Sequence, residues 1–298
     1  MTDQAHSLRQ LVSAQRNENM GTPPRTSAES AKIITVTSGK GGVGKSNFTL
    51  NFALALQSMG KKVLVFDADI GMANIDVLMG VSSRYSLYHL LRREKSMEDV
   101  IQYGPERLPF IPGGSGLADL FSLSDSDMTY FLDQLERISS GMDYIIFDTG
   151  AGLSKENMRF ITSADHCYVV TTPEPTSITD AYALIKVVHG TGSKVPFSLI
   201  VNRAGDEQEA REAADKIMLT ARRFLDLDMQ LLGSIADDPH VVQAVKRQTP
   251  FTIAFPKCDA ASDIRRIALR SMASPAAAEP DAPKGIKAFM HRLLKRTK

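Results

Sequence analysis

The chain lacks several features that would place it outside the ordinary globular proteins. No stretch approaches the run of about 18 apolar residues that a membrane-spanning helix needs. The opening segment, Met1 to Arg9, has no apolar core of the kind a secretory signal carries. Cysteine is scarce: Cys167 and Cys258 lie far apart and neither belongs to a CxxC pair. That argues against a disulfide framework or a zinc site and for a reducing cytoplasm. The six histidines show no ligand spacing, and no internal repeat is present. Neither sign of charge prevails, with 35 Lys and Arg against 34 Asp and Glu.

The balance hides an asymmetry. Lys284, Lys287, Arg292, Lys295, Arg296 and Lys298 crowd the last fifteen positions, which hold no acid. The rest of the chain keeps 29 basic and 34 acidic residues, so a mildly acidic body carries a basic tail with a separate task.

With 43% hydrophobic residues the composition excludes wholesale disorder, and 298 residues suit one large α/β domain or two small ones. Five segments follow from composition. Residues 1–18 read as an N-terminal peptide with a short helix, and 19–31, with Gly21, Pro23 and Pro24, as a linker. The body spans 32–272, a Pro- and Ala-rich linker 273–283, and the basic tail 284–298. Within the body, runs apolar on both faces predict buried parallel strands at Ile33–Thr37, Val63–Phe66, Tyr144–Phe147, Tyr168–Thr172, Phe197–Val201 and Leu231–Ile235. Helical patterns fall between them at Ser46–Met59, Asp127–Ser139, Ser177–Val188 and Glu207–Leu225. Such alternation predicts an α/β fold with a doubly wound, mostly parallel sheet and a ligand at the carboxyl ends of its strands.

The first strand feeds Gly39-Lys40-Gly41-Gly42-Val43-Gly44-Lys45-Ser46, a full GxxxxGK[ST] phosphate loop between strand and helix. Glycines let backbone N–H groups wrap a phosphate, and the helix start adds its positive dipole end. Lys45 then neutralises the β- and γ-phosphates of ATP, and the Ser46 hydroxyl sits on Mg²⁺. The same stretch satisfies the dinucleotide fingerprint GxGxxG, with Asp67 where a ribose-binding acid would stand. Against that reading are Lys45-Ser46, which a pyrophosphate site does not need, and a second acid, Asp148, ending the Tyr144–Phe147 run. Asp148 suits a Mg²⁺ ligand, direct or through water, or else a helix cap. Asp67, Asp69 and Asp76 follow the second strand, and one of them can orient a water toward the γ-phosphate; position alone does not choose.

These residues resemble a family. Lys40-Gly41-Gly42-Val43-Gly44-Lys45-Ser46 resembles the deviant Walker A motif of the MinD/ParA ATPases, marked by the extra lysine, Lys40. The resemblance implies that Lys40 reaches the phosphates of the opposite subunit in an ATP-sandwich homodimer, with Asn47 beside the loop. Asp67–Asp76 resembles the first switch, where the acid matching Asp69 assists water attack and lies by the metal; Asp148–Gly152 resembles the second. Asn202-Arg203 is similar to the adenine side. Ile235-Ala236-Asp237 resembles the loop closing over the base, although Ala236 stands where proline is usual, which weakens the match at Asp237. Glu174 falls in a segment resembling the one that faces the partner subunit.

Before the linker, Asp3-Gln4-Ala5 with Leu8-Arg9 resembles the activator peptide of the FlhG (FleN, YlxH) branch, MinD-like regulators of flagellar number and placement. That resemblance implies stimulation of an FlhF-type signal-recognition GTPase and contact with flagellar basal-body components. It also implies a slow, dimer-dependent ATP hydrolase. In the tail, Ile286, Phe289, Met290, Leu293 and Leu294 form one helical stripe opposite the basic residues, a pattern suited to an anionic membrane surface. The expected location is the cytoplasm, reversibly at the inner face of the cell membrane. A tail that binds nucleic acid, as in a DNA-partitioning ParA, or that caps the body's own core are the alternatives; nucleic acid seldom needs an apolar stripe. A cluster-carrying relative such as a nitrogenase iron protein would need placed cysteines, which Cys167, within a strand run, does not supply.

Overall fold

Side-chain alternation along the strands builds two cores at once. The computed structural model describes residues 30–273, apart from 72 and 115, and residues 285–294. The Asp3–Arg9 peptide, most of both linkers, and Lys284, Lys295, Arg296 and Lys298 of the tail lie outside the described residues. Eight strands form one sheet in the order β3-β4-β2-β5-β1-β6-β7-β8. They are β1 (Lys32–Ser38), β2 (Val63–Ala68), β3 (Gln102–Tyr103), β4 (Pro109–Ile111), β5 (Tyr144–Ala151), β6 (His166–Thr171), β7 (Phe197–Ala204) and β8 (Gln230–Ala236). All neighbours run parallel except β3 with β4. The doubly wound expectation is met, and the six expected strands occur within a few residues of their expected ends.

Because successive residues point to opposite faces, Ile145 and Phe147 enter one core while Tyr144 and Ile146 enter the other. The first core packs under the helices Asp125–Ser139, Lys155–Ser163, Pro175–Gly190 and Glu207–Leu225. The second lies beneath Lys45–Ser58 and Asp259–Ala273. β1 sits between β5 and β6, where the strand order reverses, so its carboxyl end opens on the crevice expected to take a ligand. Among the described residues no helix is long and apolar enough to cross a membrane.

The tail helix, Ile286–Leu294, lies on this body. Ile286, Phe289, Met290 and Leu293 are buried in the first core, and Leu294 packs at its edge. Phe289 stacks on Phe147 with ring centroids 4.5 Å apart and stands 6.4 Å from Phe160. Lys287 pairs with Glu136 at 2.6 Å, and Arg292 donates to the Ser163 carbonyl at 2.7 and 3.0 Å. In this state, therefore, the stripe that suits a membrane covers the body's own core.

At the opposite, amino end of the strands, His166 is buried with Nε2 2.9 Å from Ser198 Oγ. Burial, helped by the Lys32 cation, pushes its imidazole down to about 4. An unfolded chain would protonate it near pH 6.5, so between these values the unfolded state binds a proton that the folded state refuses. Its contribution is full above the unfolded value and is lost as pH falls toward the folded one. From pH 7 to pH 5 the loss is on the order of 2 kcal/mol. Urea denaturation at both pH values should show the parent losing about that much more stability than His166→Asn.

Candidate nucleotide site

The chain leaves β1 at Ser38, turns through the glycine loop and enters the helix Lys45–Ser58. Packing makes two of those glycines obligatory. A Cβ on Gly39 would run into the Asp180 backbone of the helix Pro175–Gly190. Gly44 has φ 89°, a left-handed conformation, and a side chain there would strike the Asn202 amide. The loop is held from beside, too, since Asn202 Nδ2 donates to the Val43 carbonyl at 2.7 Å.

Lys45 is buried and points at Asp148, with Nζ 3.0 Å from Oδ1. Thr49, one helical turn on, donates to the same oxygen at 2.8 Å. Asp148 Oδ2 is buried with no hydrogen-bond partner, although the carboxylate is at the carboxyl end of β5 beside the phosphate loop. Lys45 Nζ also lies 3.3 Å from Ser46 Oγ, so one ammonium links the hydroxyl to this carboxylate, and an orphaned oxygen there fits a Mg²⁺ held by few protein ligands. Among the described residues no cluster of three or more His, Cys, Asp and Glu offers a cage. Ser46 and Asp148, with phosphate oxygens and water, would hold it. When bound, such an ion neutralises charge that develops on the β- and γ-phosphates. Asp148 does not serve as a helix cap.

Asp67, at the end of β2, and Asp69 and Asp76 beyond it separate by burial. Asp67 is 1% exposed, and its carboxylate accepts the amides of Asp69, Asn74 and Ile75 at 3.0–3.2 Å. Burial, with repulsion from Asp148, raises its carboxyl to about 7 against those three bonds. Asp76 accepts from Val77 and Ser83 on the exposed side. Asp69 lines the cleft, a space of about 740 Å³ that Gly41, Ser46, Asn47, Gly150 and Asn157 also border. Asp67 thus shapes the loop that carries Asp69.

Lys40 stands at the open rim. Its Nζ lies 2.7 Å from Glu174 Oε2 and 2.9 Å from Thr176 Oγ1 of the same chain. The lysine holds the Glu174 carboxyl below its usual range. Across the loop Arg203, at φ 57°, pairs with Asp237 at 3.5 Å, and Ile235 is buried beneath them. Asp237 is placed beside Asn202-Arg203 despite Ala236, because its amide donates to the Ala204 carbonyl at 2.9 Å. Thr49, Thr176 and Asn157 were not legible as site residues. Thr49 could have been found, since it stands four residues after Lys45 on the same helical face.

A glycine loop at the end of β1, a buried Lys–Asp pair behind it and a mostly parallel, doubly wound sheet are those of a P-loop ATPase of the MinD/ParA class. A family model described as an AAA domain matches residues 31–197. The chain is 35% identical over 263 residues to the antiactivator FleN of Pseudomonas aeruginosa, covering 88% of this chain and 93% of FleN. It is 36% identical over 267 residues to the flagellum site-determining protein YlxH of Helicobacter pylori, covering 89% and 90%. Among solved structures, a chain of the MinC:MinD cell division protein complex of Aquifex aeolicus superposes with a TM-score of 0.66 at 29% identity, over 84% of this chain and 99% of that one. MinD of Pyrococcus horikoshii, complexed with Mg-ADP, gives 0.64 at 26%, over 83% and 99%. The chain belongs to the FleN/YlxH family of MinD-like ATPases.

Proposed function

We propose that the chain is an ATP-switched regulator of flagellar number and placement. In this reading it cycles between a soluble monomer and an ATP-bound homodimer at the inner face of the cell membrane. Its N-terminal peptide, Asp3 to Arg9, stimulates an FlhF-type GTPase, and the body meets flagellar basal-body components. ATP with Mg²⁺ is the switch ligand, and Asp69 assists its slow hydrolysis. The names of FleN and YlxH support the flagellar assignment, and the resemblance of the glycine loop supports the dimer.

One observation carries the switch: the tail helix rests in part on β5, which carries Asp148, and on the helix Lys155–Ser163 that follows it. Phe147, which stacks on Phe289, is the residue before Asp148. Phe160 and Ser163, which hold Phe289 and Arg292, belong to the helix that follows the second switch. A rearrangement of residues 148–154 around a γ-phosphate therefore moves two walls of the groove. ATP shifts the tail only as far as it binds the undocked state better. Once free, each Lys or Arg near an anionic surface contributes on the order of 1 kcal/mol, and two tails on one dimer act together.

Lys40 fits this cycle. A cradle supplied with Lys45 needs no second cation in cis, and Lys40 sits at the rim beside Glu174, where a second subunit can take it. Sedimentation with anionic vesicles, compared with retention on duplex DNA, tests the reading. Vesicle binding should require ATP, and Asp69→Ala should prolong it while slowing phosphate release about tenfold or more. ATP-dependent retention on DNA alone would favour the partitioning function instead. Hydrolysis by Asp69→Ala at the parent rate would remove Asp69 from the mechanism.

A further inference from the structure

Asn157 stands one turn into the helix Lys155–Ser163, yet its residue is only 5% exposed. Ser154 caps that helix by accepting the Asn157 amide at 3.1 Å, which fixes the residue's place relative to the second switch. The side chain turns back toward the switch. Its Nδ2 lies 3.3 Å from the Ala151 carbonyl and 3.3 Å from the Gly152 carbonyl. A carbonyl only accepts, so these two partners fix which end of the amide is the donor.

Both ends of the amide face Gly150. A side chain built on Gly150 would meet Asn157 Nδ2 at 3.2 Å, Asn157 Oδ1 at 3.3 Å and Asp69 Oδ1 at 3.4 Å. Asn157 and Asp69 thus approach the same side of Gly150, where a Cβ would be crowded, and the gap that all three border is the cleft described above. Residue type matters at this place. Asparagine donates to the carbonyls and adds no negative charge to a gap already flanked by Asp69. An aspartate of the same shape could not donate and would set a second carboxylate beside the first.

We infer that Asn157 is a positioning residue for ATP hydrolysis: it clamps the Ala151–Gly152 backbone so that the gap over Gly150 stays open beside Asp69. In that reaction water oxygen bonds to the γ-phosphorus. The bond to the β–γ bridging oxygen breaks, its electron pair leaves with ADP, and the water protons end on phosphate and solvent. Clamping serves the geometry of attack rather than the hold on nucleotide, which lies with the glycine loop. The inference rests on the assignment of Asp69 made above.

The test is steady-state hydrolysis with nucleotide affinity measured alongside, in full-length Asn157→Ala, Asn157→Asp and Asn157→Gln. Both Ala and Asp variants should lose about tenfold or more in kcat while KM and ADP affinity stay within about twofold. The glutamine variant, which keeps the amide on a longer stem, should recover part of the loss. Asp69→Ala in the same assay separates the two claims. If it hydrolyses ATP normally, the site reading fails; if it is slow while Asn157→Asp turns over at the parent rate, the clamp fails. Loss of nucleotide affinity in step with kcat would show a merely structural residue and overturn the inference. Should Asn157→Ala not fold, the isosteric Asn157→Asp decides the matter by its kcat and thermal melt.

Discussion

Phe289→Glu should free the tail helix from the body and open the groove that Phe147 and Phe160 line. Phe289 is fully buried and stacked at 4.5 Å on Phe147. Truncating such a side chain costs about 3–5 kcal/mol, and a carboxylate left unpaired in the same place costs more. The nine-residue helix has little net reserve to set against that cost once its ordering entropy is counted. Its other anchors are Ile286, Met290 and Leu293, at roughly 1.5–3 kcal/mol each before the entropy of ordering is subtracted. The helix is therefore expected to leave rather than bury the charge. A hydrophobic dye should bind severalfold more strongly without nucleotide, and the thermal midpoint should fall by several degrees. Vesicle sedimentation should be lost in every nucleotide state, because the charge also lies on the face that would enter the lipid. Glu136→Lys provides the contrast. It repels Lys287 across their 2.6 Å pair but leaves the stripe intact, so it should raise vesicle binding without ATP. Unchanged dye binding and melting in Phe289→Glu would mean that the helix does not occupy this groove in solution.

How much of this was legible in the sequence depends on the range of the interaction involved. β-branched runs such as Ile33–Thr37 marked their strands because a parallel strand is buried on both faces, a property local to the run. Strands β3 and β4, at one side of the sheet, gave no such signal, being only two and three residues long. The glycine loop was legible because phosphate binding fixes residue types at fixed spacing. The choice among Asp67, Asp69 and Asp76 was not, since it turns on which carboxylate the fold buries against the amides of residues 69, 74 and 75. Asn157 was hidden for a similar reason: its partners are backbone carbonyls, which no residue type announces. The tail shows the limit most plainly. Periodicity gave an apolar face on Ile286–Leu294, but a pattern states that a face will be covered, not by what. The cover came from Phe147 and Phe160, more than a hundred residues away in sequence.

Lys45→Ala should cost the protein both its nucleotide and part of its fold, and the two losses should separate. Lys45 is the buried counter-ion of Asp148, their side chains 8% and 1% exposed and 3.0 Å apart. Removing one member of a buried pair strands the other charge and destabilises by about 3–5 kcal/mol. Here Thr49 still donates to Asp148 at 2.8 Å, which places the expected loss toward the lower end. A phosphate in the glycine loop would compete with Asp148 for the ammonium, and an Asp148 oxygen released by it would be available to a metal. The same truncation therefore weakens ATP binding by on the order of 100-fold or more, the scale for losing one member of a desolvated charge pair. Asp148→Asn in the Lys45→Ala background removes the stranded charge. It should restore much of the melting temperature and none of the affinity for ATP. A thermal double-mutant cycle with ATP titrations on the same four proteins measures both effects. Additive destabilisation would show that the pair contributes no coupling to the fold, and recovery of ATP binding in the double variant would place the phosphate's counter-charge on a residue other than Lys45.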